Sequence, residues 1–323
     1  MRDSGMFMLS LRLPAGGHFL PLSRLTHEDR ILGRIGALEV RLASKKKHIR
    51  KAQRLRYEVF FEEGGAIPDL VLKLARRDMD AFDAICDHLL VVDTSRKFGR
   101  KIVGTYRLLR RDVADQNFGF YSEGEYDLDP LLKRHPSARM LELGRSCVLK
   151  PYRDKRTVEL LWLGIYKYVL QNQIDVMFGC ASFDGTDPDR LALPLSYLSH
   201  FASANDEWHV RALDKRYVPM NRLVRDHIDP KRAIAAMPPL IKGYLRLGAR
   251  FGQGAVIDRS FNTTDVLVVL PISAIAPRYA AHFGKNAASE ASLVEPAHCT
   301  AQAFNNVPAH KVRMGECGAH NRD

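Results

Sequence analysis

Long apolar runs, paired cysteines and the familiar phosphate and nucleophile motifs are all missing from this sequence. No stretch approaches the roughly 18 apolar residues that span a bilayer; Leu160–Leu170 and Val266–Ile275 are interrupted or too short. The 5 cysteines make no C-x-x-C spacing, and their odd number argues against a disulfide framework or a zinc site. Cys86, Cys147 and Cys180 sit in apolar surroundings, as reduced cytoplasmic thiols do. Met6–Leu13 is mildly apolar but is broken by Arg12 and followed by Pro14. It lacks the core of a secretory signal, so the expected location is cytoplasmic. No G-x-G-x-x-G or G-x-x-x-x-G-K-[ST] follows a predicted strand, which leaves nucleotide binding by those routes unsupported. The absence of G-x-S-x-G and H-E-x-x-H sets aside serine hydrolases and zinc proteases.

Positive charge, by contrast, is plentiful. Across 323 residues, 49 Lys+Arg face 37 Asp+Glu, a net charge of +12. That surplus favours an anionic partner: nucleic acid, an anionic membrane, a phosphorylated group or an acidic protein. Hydrophobic residues at 46% and charged residues at 27% exclude a wholly disordered chain. The length suits about two domains, or one large α/β domain with extensions. Residues 1–37, rich in Gly, Pro and Arg, read as a weakly structured leader. Residues 286–323, whose one aromatic is Phe304, read as a disordered tail, because they bury too little to offset ordering entropy. The globular body is then 38–285, with a C-terminal extension from about 190.

Within the body, Leu38–Leu42 alternates as a strand. Lys45–Glu62 predicts a helix with Ile49, Ala52, Leu55 and Val59 on one face. His88–Asp93 and Ile102–Leu109 form a hairpin candidate, and Met140–Leu149 a further strand. Thr157–Asn172 carries the clearest helical period, and Val176–Ala181 is a buried strand. Beyond residue 190 the pattern weakens to helices near 191–201 and 239–249 and a strand at 266–270. On the second of those helices, Lys242, Arg246 and Arg250 recur every fourth residue and should share a face. The order predicts an α/β (α+β) sandwich with a mixed sheet, not a doubly wound parallel one.

Candidate chemistry gathers around the strand at 140–149. Glu142 and Arg145 interrupt an apolar run, with Glu142 expected on one face and Arg145 beside Leu143, Cys147 and Leu149 on the other. Either they pair with charged neighbours or lie on an edge strand facing water, or the strand lines a cleft where Glu142 accepts a proton or an ammonium group. The following loop brings Arg153, Lys155, Arg156 and Thr157 to the start of the best helix. It is a solvated loop or an anion site suited to a donor's phosphate. Asp80 and Asp83 are a capping region or a carboxylate pocket for an amine, and His88 is structural.

Together these residues resemble the GNAT acyltransferases. Arg56-Tyr-Glu-Val-Phe60, Asp80-Ala-Phe-Asp83, Arg107-Leu-Leu and Glu142-Leu-Gly-Arg145 are similar to the signature of the acyl-homoserine lactone synthases. The nearer resemblance is to the ornithine-lipid branch, the L-ornithine Nα-acyltransferases. It is carried by Tyr152-Arg-Asp with Leu161-Trp162-x-Gly164, by Pro238–Gly248 and by Asp258–Asp265.

The resemblance spans roughly 38–285. It implies a GNAT-like fold with a central mixed sheet flanked by helices. It also implies transfer of a 3-hydroxyacyl chain from acyl carrier protein to the α-amine of ornithine, giving a lyso-ornithine lipid. Glu142 and Arg145 would be catalytic, and Arg56, Asp80, Asp83 and Arg107 would bind substrate or hold one another. Backbone groups at Cys147, Val148 and Leu149 would meet the thioester, with Arg153, Lys155, Arg156 and Thr157 on the donor's phosphate. Asp154-Lys155-Arg156 stands where the phosphate loop usually carries glycine. This departure fits 4′-phosphopantetheine on a carrier protein, with no cofactor or metal bound to the enzyme itself. Basic faces at Lys45–Arg56 and 242–250 would meet the acidic carrier or an anionic membrane, placing the enzyme in the cytoplasm, peripheral to the inner membrane. Two rival readings are a lactone synthase using S-adenosylmethionine, which Pro238–Asp265 argues against, and a basic nucleic-acid-binding protein. The second lacks aromatics interleaved for base stacking, so no nucleic-acid partner is expected.

Overall fold

A computed structural model of the chain describes residues 31–98 and 101–275. Its frame is a sheet of β1 (Ile31–Ile35), β2 (Leu38–Leu42), β3 (Asp87–Asp93), β4 (Ile102–Arg110), β5 (Tyr126–Asp127), β6 (Met140–Val148), β7 (Val176–Asp184), β8 (Arg211–Ala212), β9 (Tyr217–Val218), β10 (Arg250–Asp258) and β11 (Thr263–Pro271). The spatial order is β1-β2-β3-β4-β6-β7-β11-β10-β8-β5, with β9 against β10. Neighbours are antiparallel except β6–β7 and β8–β10, so the sheet is mixed, as expected.

The first strand occupies Ile31–Ile35 and pairs with β2. The folded body therefore begins before residue 38, inside the stretch read as leader. Gly33 and Arg34 blur the period there, which hides the strand from a reading by alternation. The rest of that leader and the proposed tail lie outside the described residues.

Helix α1 (Lys46–Tyr57) buries Ala52 and Leu55 against the sheet and then widens into a π-helical turn, Glu58–Glu63. The single helix expected to 62 is thus two, and the wider turn brings Val59, Phe60 and Glu63 to the cleft described below. A short helix α2 (Leu70–Ala75) follows, capped by Asp69. Helix α3 (Lys155–Gln171) starts where the Asp154 side chain accepts from the Thr157 N–H. It lies on β1, β2 and β3. Gly164 permits this close approach, since a Cβ there would sit 2.6 Å from Val40 Cγ2. Helix α4 (Pro239–Leu247) ends at Gly248, which adopts φ 96°. Arg250 consequently opens β10 and shares no helix face with Lys242 and Arg246. Along β11, Val266, Val268 and Leu270 join the larger core, while Leu267 and Val269 join a second one with Phe120, Tyr126 and Phe178.

Two irregularities create the site. First, β6 pairs with β7 only from Met140 to Glu142; beyond that, β6 stays with β4 and β7 with β11. Gly179 sits at this parting with φ 152°, where a Cβ would lie 2.2 Å from the Leu143 carbonyl oxygen. Second, the β4–β6 register slips between Thr105↔Cys147 and Arg107↔Gly144. The extra residue is a β-bulge in which Arg145 takes φ 50°. Plain alternation assigned Arg145 to the face of Leu143 and Cys147. The bulge instead turns it toward the gap between the strands.

Candidate active site

At one wall of the gap, α1, the Asp78–Asp83 segment, β4 and β6 contribute an alternating set of charges. Arg56 is fully buried. Its Nε donates to Asp78 Oδ2 at 2.7 Å, and its Nη2 donates to Asp83 Oδ2 at 2.7 Å and to the Asp78 carbonyl at 2.6 Å. Arg107 donates to Asp80 at 2.6 Å and reaches Asp83 at 3.4 Å. Arg145 contacts Asp78 and Asp80 at the longer distances of 3.2 and 3.4 Å, with its guanidinium over the rings of Tyr121 and Phe261. Burial alone would push the Asp83 carboxyl up, but the Arg56 hydrogen bond and charge, with Gln53 and Arg107, hold it at about 2.

Arg56, Asp80, Asp83 and Arg107 are therefore brought together as the sequence suggested, and Asp78 completes the set. Arg56, Arg107 and Arg145 balance Asp78, Asp80 and Asp83, so the lattice is neutral and Asp83 is spoken for. His88 lies behind it, its Nε2 at 3.0 Å from the Asp83 carbonyl. That is the structural role expected.

Glu142 stands at the point where β6 and β7 part. Both its oxygens are held by a short 3₁₀ turn. Oε1 accepts from the Ser122 N–H at 2.7 Å and the Ser122 hydroxyl at 2.5 Å, and Oε2 accepts from the Tyr121 N–H at 2.8 Å. Burial pushes its carboxyl above the usual range, and the Ser122 and Tyr121 donors oppose that only partly. Arg145 turns to Asp78 and Asp80 instead of Glu142, so the residue that orients Glu142 is Ser122. No local spacing could have shown this, because the partners are 20 residues apart.

The parted strands enclose a cleft of about 890 Å³ lined by Phe60, Arg107, Glu142, Arg145, Lys150 and Phe261 among others. That is the size of a small-molecule site.

On the donor side the structure divides the predicted residues. Cys147 is buried in the larger core, and desolvation pushes its thiol up, so it is no thiolate nucleophile. The Leu149 N–H already donates to the Val103 carbonyl at 2.9 Å. Because an antiparallel ladder alternates, donors facing away from β4 come from Val148 and its alternates. Arg153 lines the cleft, donates to the Val148 carbonyl at 2.9 Å and pairs with Glu63. Lys155 and Arg156 point elsewhere and pair with Glu159 and Asp154. Thr157 is fully buried, and its N–H is taken by Asp154. The helix end expected to bind phosphate is therefore already capped by a carboxylate. Lys150, from the start of the same basic loop, joins Arg153 at the cleft.

The opposite wall is acidic, and no motif in the sequence points to a role for it. Asp258 and Asp265, from β10 and β11, line the cleft, and Glu125 lies beside them. Their nearest carboxylate oxygens are all within 4.8 Å of one another. The one clue in the sequence was Asp258 and Asp265 at the two ends of a turn-rich segment.

A mixed sheet that parts over a buried carboxylate, followed by a basic loop and a long helix, is the arrangement of a GNAT-like N-acyltransferase. The family model for the acetyltransferase (GNAT) domain matches residues 55–163, which run from α1 into α3. The chain is 54% identical over 259 residues to the L-ornithine N(alpha)-acyltransferase of Brucella abortus (strain 2308), covering 80% of this chain and 92% of that protein. It is 53% identical over 266 residues to the protein of that name from Rhizobium meliloti (strain 1021), covering 82% and 90%. With the one from Rhodobacter capsulatus it shares 41% over 243 residues, covering 75% and 92%. The chain belongs to the L-ornithine N(alpha)-acyltransferase family. It is an acyltransferase, of the branch the sequence motifs resembled.

Proposed function

We propose that this acyltransferase moves a 3-hydroxyacyl chain from the thioester of acyl carrier protein to the α-amine of L-ornithine, releasing a lyso-ornithine lipid. The carrying observation is the 54% identity along 92% of a relative of that name. The cleft accommodates the reading. An ammonium is not a nucleophile, so a base must take its proton before nitrogen attacks the thioester carbonyl. Glu142 is that base, its carboxyl raised above the usual carboxylate range by burial, which makes it a better proton acceptor than an exposed carboxylate. Arg145, the most loosely held member of the lattice, binds the acceptor's α-carboxylate. Arg56, Asp78, Asp80, Asp83 and Arg107 fix its position. Backbone N–H groups at Val148 and its alternates on β6 hold the oxyanion. Collapse of the tetrahedral intermediate forms the amide and expels the pantetheine thiolate, which takes up a proton.

Lys150 and Arg153 meet the single phosphate of the carrier's 4′-phosphopantetheine. Outside the cleft, Lys155 and Arg156 and the exposed basic residues of α1 face the acidic carrier.

Peripheral attachment to an anionic membrane rests on a different feature. Among the described residues no helix is long and apolar enough to cross a membrane. Around α2, however, Ile67, Leu70, Val71 and Leu74 are exposed by 62–78%, beside Lys73, Arg76 and Arg77. Such an apolar turn with basic flanks is suited to insertion at a lipid surface.

The test of function is product. Purified protein supplied with 3-hydroxyacyl carrier protein and ornithine should yield Nα-acylornithine by mass spectrometry. Glu142→Gln should lower kcat about 100-fold or more with the fold kept. Absence of that product with wild-type protein refutes the reading, and near wild-type turnover of the variant removes Glu142 from the mechanism.

A further inference from the structure

The acidic wall is more than a surplus of surface carboxylates. Asp265 is only 7% exposed, yet its Oδ1 has no hydrogen-bond partner among the described residues. Leaving a buried carboxylate oxygen unpaired is costly, and the residue that carries it lines the open cleft. Asp258 faces the same space. Its Oδ1 is fixed by the Ser260 N–H and hydroxyl at 2.8 and 2.5 Å and by the Phe261 N–H at 3.1 Å. Glu125 is held from behind by Arg216, at 3.5 Å from Oε1, and by the Cys180 thiol, at 3.2 Å from Oε2. The cleft thus has a missing donor at Asp265, with Asp258 and Glu125 close enough to share it.

From this geometry we infer that Glu125, Asp258 and Asp265 form the subsite for the acceptor's side-chain ammonium, with Asp265 Oδ1 as its principal partner. The inference rests on the function proposed above and adds the group that selects a diamino acid. A monocation suits the charge balance. Arg216 offsets one of the carboxylates, and burial with the neighbouring Asp265 charge pushes the Glu125 carboxyl up to about 7. Burial raises the Asp265 carboxyl as well, so the site is short of positive charge by a modest amount that matches an ammonium better than a divalent ion stripped of water.

The subsite also accounts for which nitrogen reacts. Ionic pairing keeps the terminal amine protonated and non-nucleophilic, while Glu142, at the parting of β6 and β7, takes the proton of the other.

The experiment compares ornithine with norvaline, which has the same carbon chain and no terminal amine, using a 3-hydroxyacyl carrier protein donor. Wild-type protein should favour ornithine by at least about 100-fold in kcat/KM. Asp265→Asn should bring that ratio below about tenfold, chiefly through KM for ornithine, and should let Nδ-acylornithine appear among the products. Because the readout is a ratio within one preparation, a partly unfolded fraction cancels. If Asp265→Asn yields no folded protein, Asp258→Asn decides the matter on the same ratio. Acylation of ornithine by the wild type with undiminished discrimination in the variants overturns the inference and leaves the proposed function standing. Failure of the wild type to acylate ornithine overturns the proposed function itself. Stoichiometric divalent metal in purified wild-type protein, lost in Asp265→Asn, would overturn the ammonium subsite in favour of a metal site.

Discussion

Replacing Arg56 with Met tests whether the charge lattice holds the fold or merely decorates it. The guanidinium is fully buried and donates at 2.6 to 2.8 Å to Asp78 and Asp83, which are themselves 2% and 6% exposed. A Met fills much of the volume but returns none of those bonds. Asp78 keeps only the 3.2 Å contact with Arg145, and Asp83 keeps Gln53 at 2.9 Å and Arg107 at 3.4 Å. Removing one partner of a buried ion pair costs about 3–5 kcal/mol; we expect about 4 kcal/mol at pH 7, a fall in Tm of about 10 °C.

The pH dependence gives a second handle. In the wild type the Asp83 carboxyl lies near 2, below its unfolded value of 3.8. Its stabilisation is therefore complete above pH 3.8 and lost as pH falls toward 2. Without Arg56, burial dominates and raises that carboxyl, so its ionisation at neutral pH opposes folding and protonation relieves the defect. The stability gap between the two proteins should be widest at pH 7 and shrink toward pH 3. Urea unfolding followed by circular dichroism at several pH values measures it. A gap under 1 kcal/mol at pH 7, or one that does not narrow on acidification, would refute the reasoning.

Gly179→Ala should cost about 3 kcal/mol or more, because its Cβ would sit 2.2 Å from the Leu143 carbonyl oxygen. Thermal denaturation checks this, and a change under 1 kcal/mol would show that the strands part for another reason. Glu125, raised to about 7 from 4.5, binds its proton more tightly in the folded state. Stability should therefore fall by about 3 kcal/mol as pH rises from 4.5 to 7. Glu125→Gln should flatten that fall, and an unchanged slope would count against the raised carboxyl.

Much of the sheet was legible because its strands obey simple rules. β3 and β4 read as a hairpin, α3 showed its apolar face, and the charged residues of β6 stood out against Leu141 and Leu143. What failed to show depended on partners far along the chain. Nothing near Glu142 announced that Ser122 would hold it. The bulge at Arg145 is a register slip against Arg107 and Thr105, invisible to a period of two. Lys155 and Arg156 looked like phosphate ligands because a basic loop before a helix usually is one; Asp154, one residue earlier, took the helix end first. The acidic wall was hidden because Glu125 and Asp258 are polar residues at strand ends, where such residues are ordinary, and Asp265 sits in β11 directly after two threonines of a turn-rich stretch. Only folding places them together.

The three residue pairs from Met140↔Val176 to Glu142↔Phe178 are the whole of the direct hydrogen-bonded seam between β6 and β7. On one side lie β1, β2, β3, β4 and β6, and on the other β7, β11, β10, β8 and β5, each tied to its neighbours by antiparallel pairing apart from β8–β10. Beyond that seam the two halves of the sheet are joined by side-chain packing in the larger core and not by ladder hydrogen bonds. The cleft is therefore a split in the backbone ladder whose floor is still closed by core side chains, with Glu142 at the last paired position.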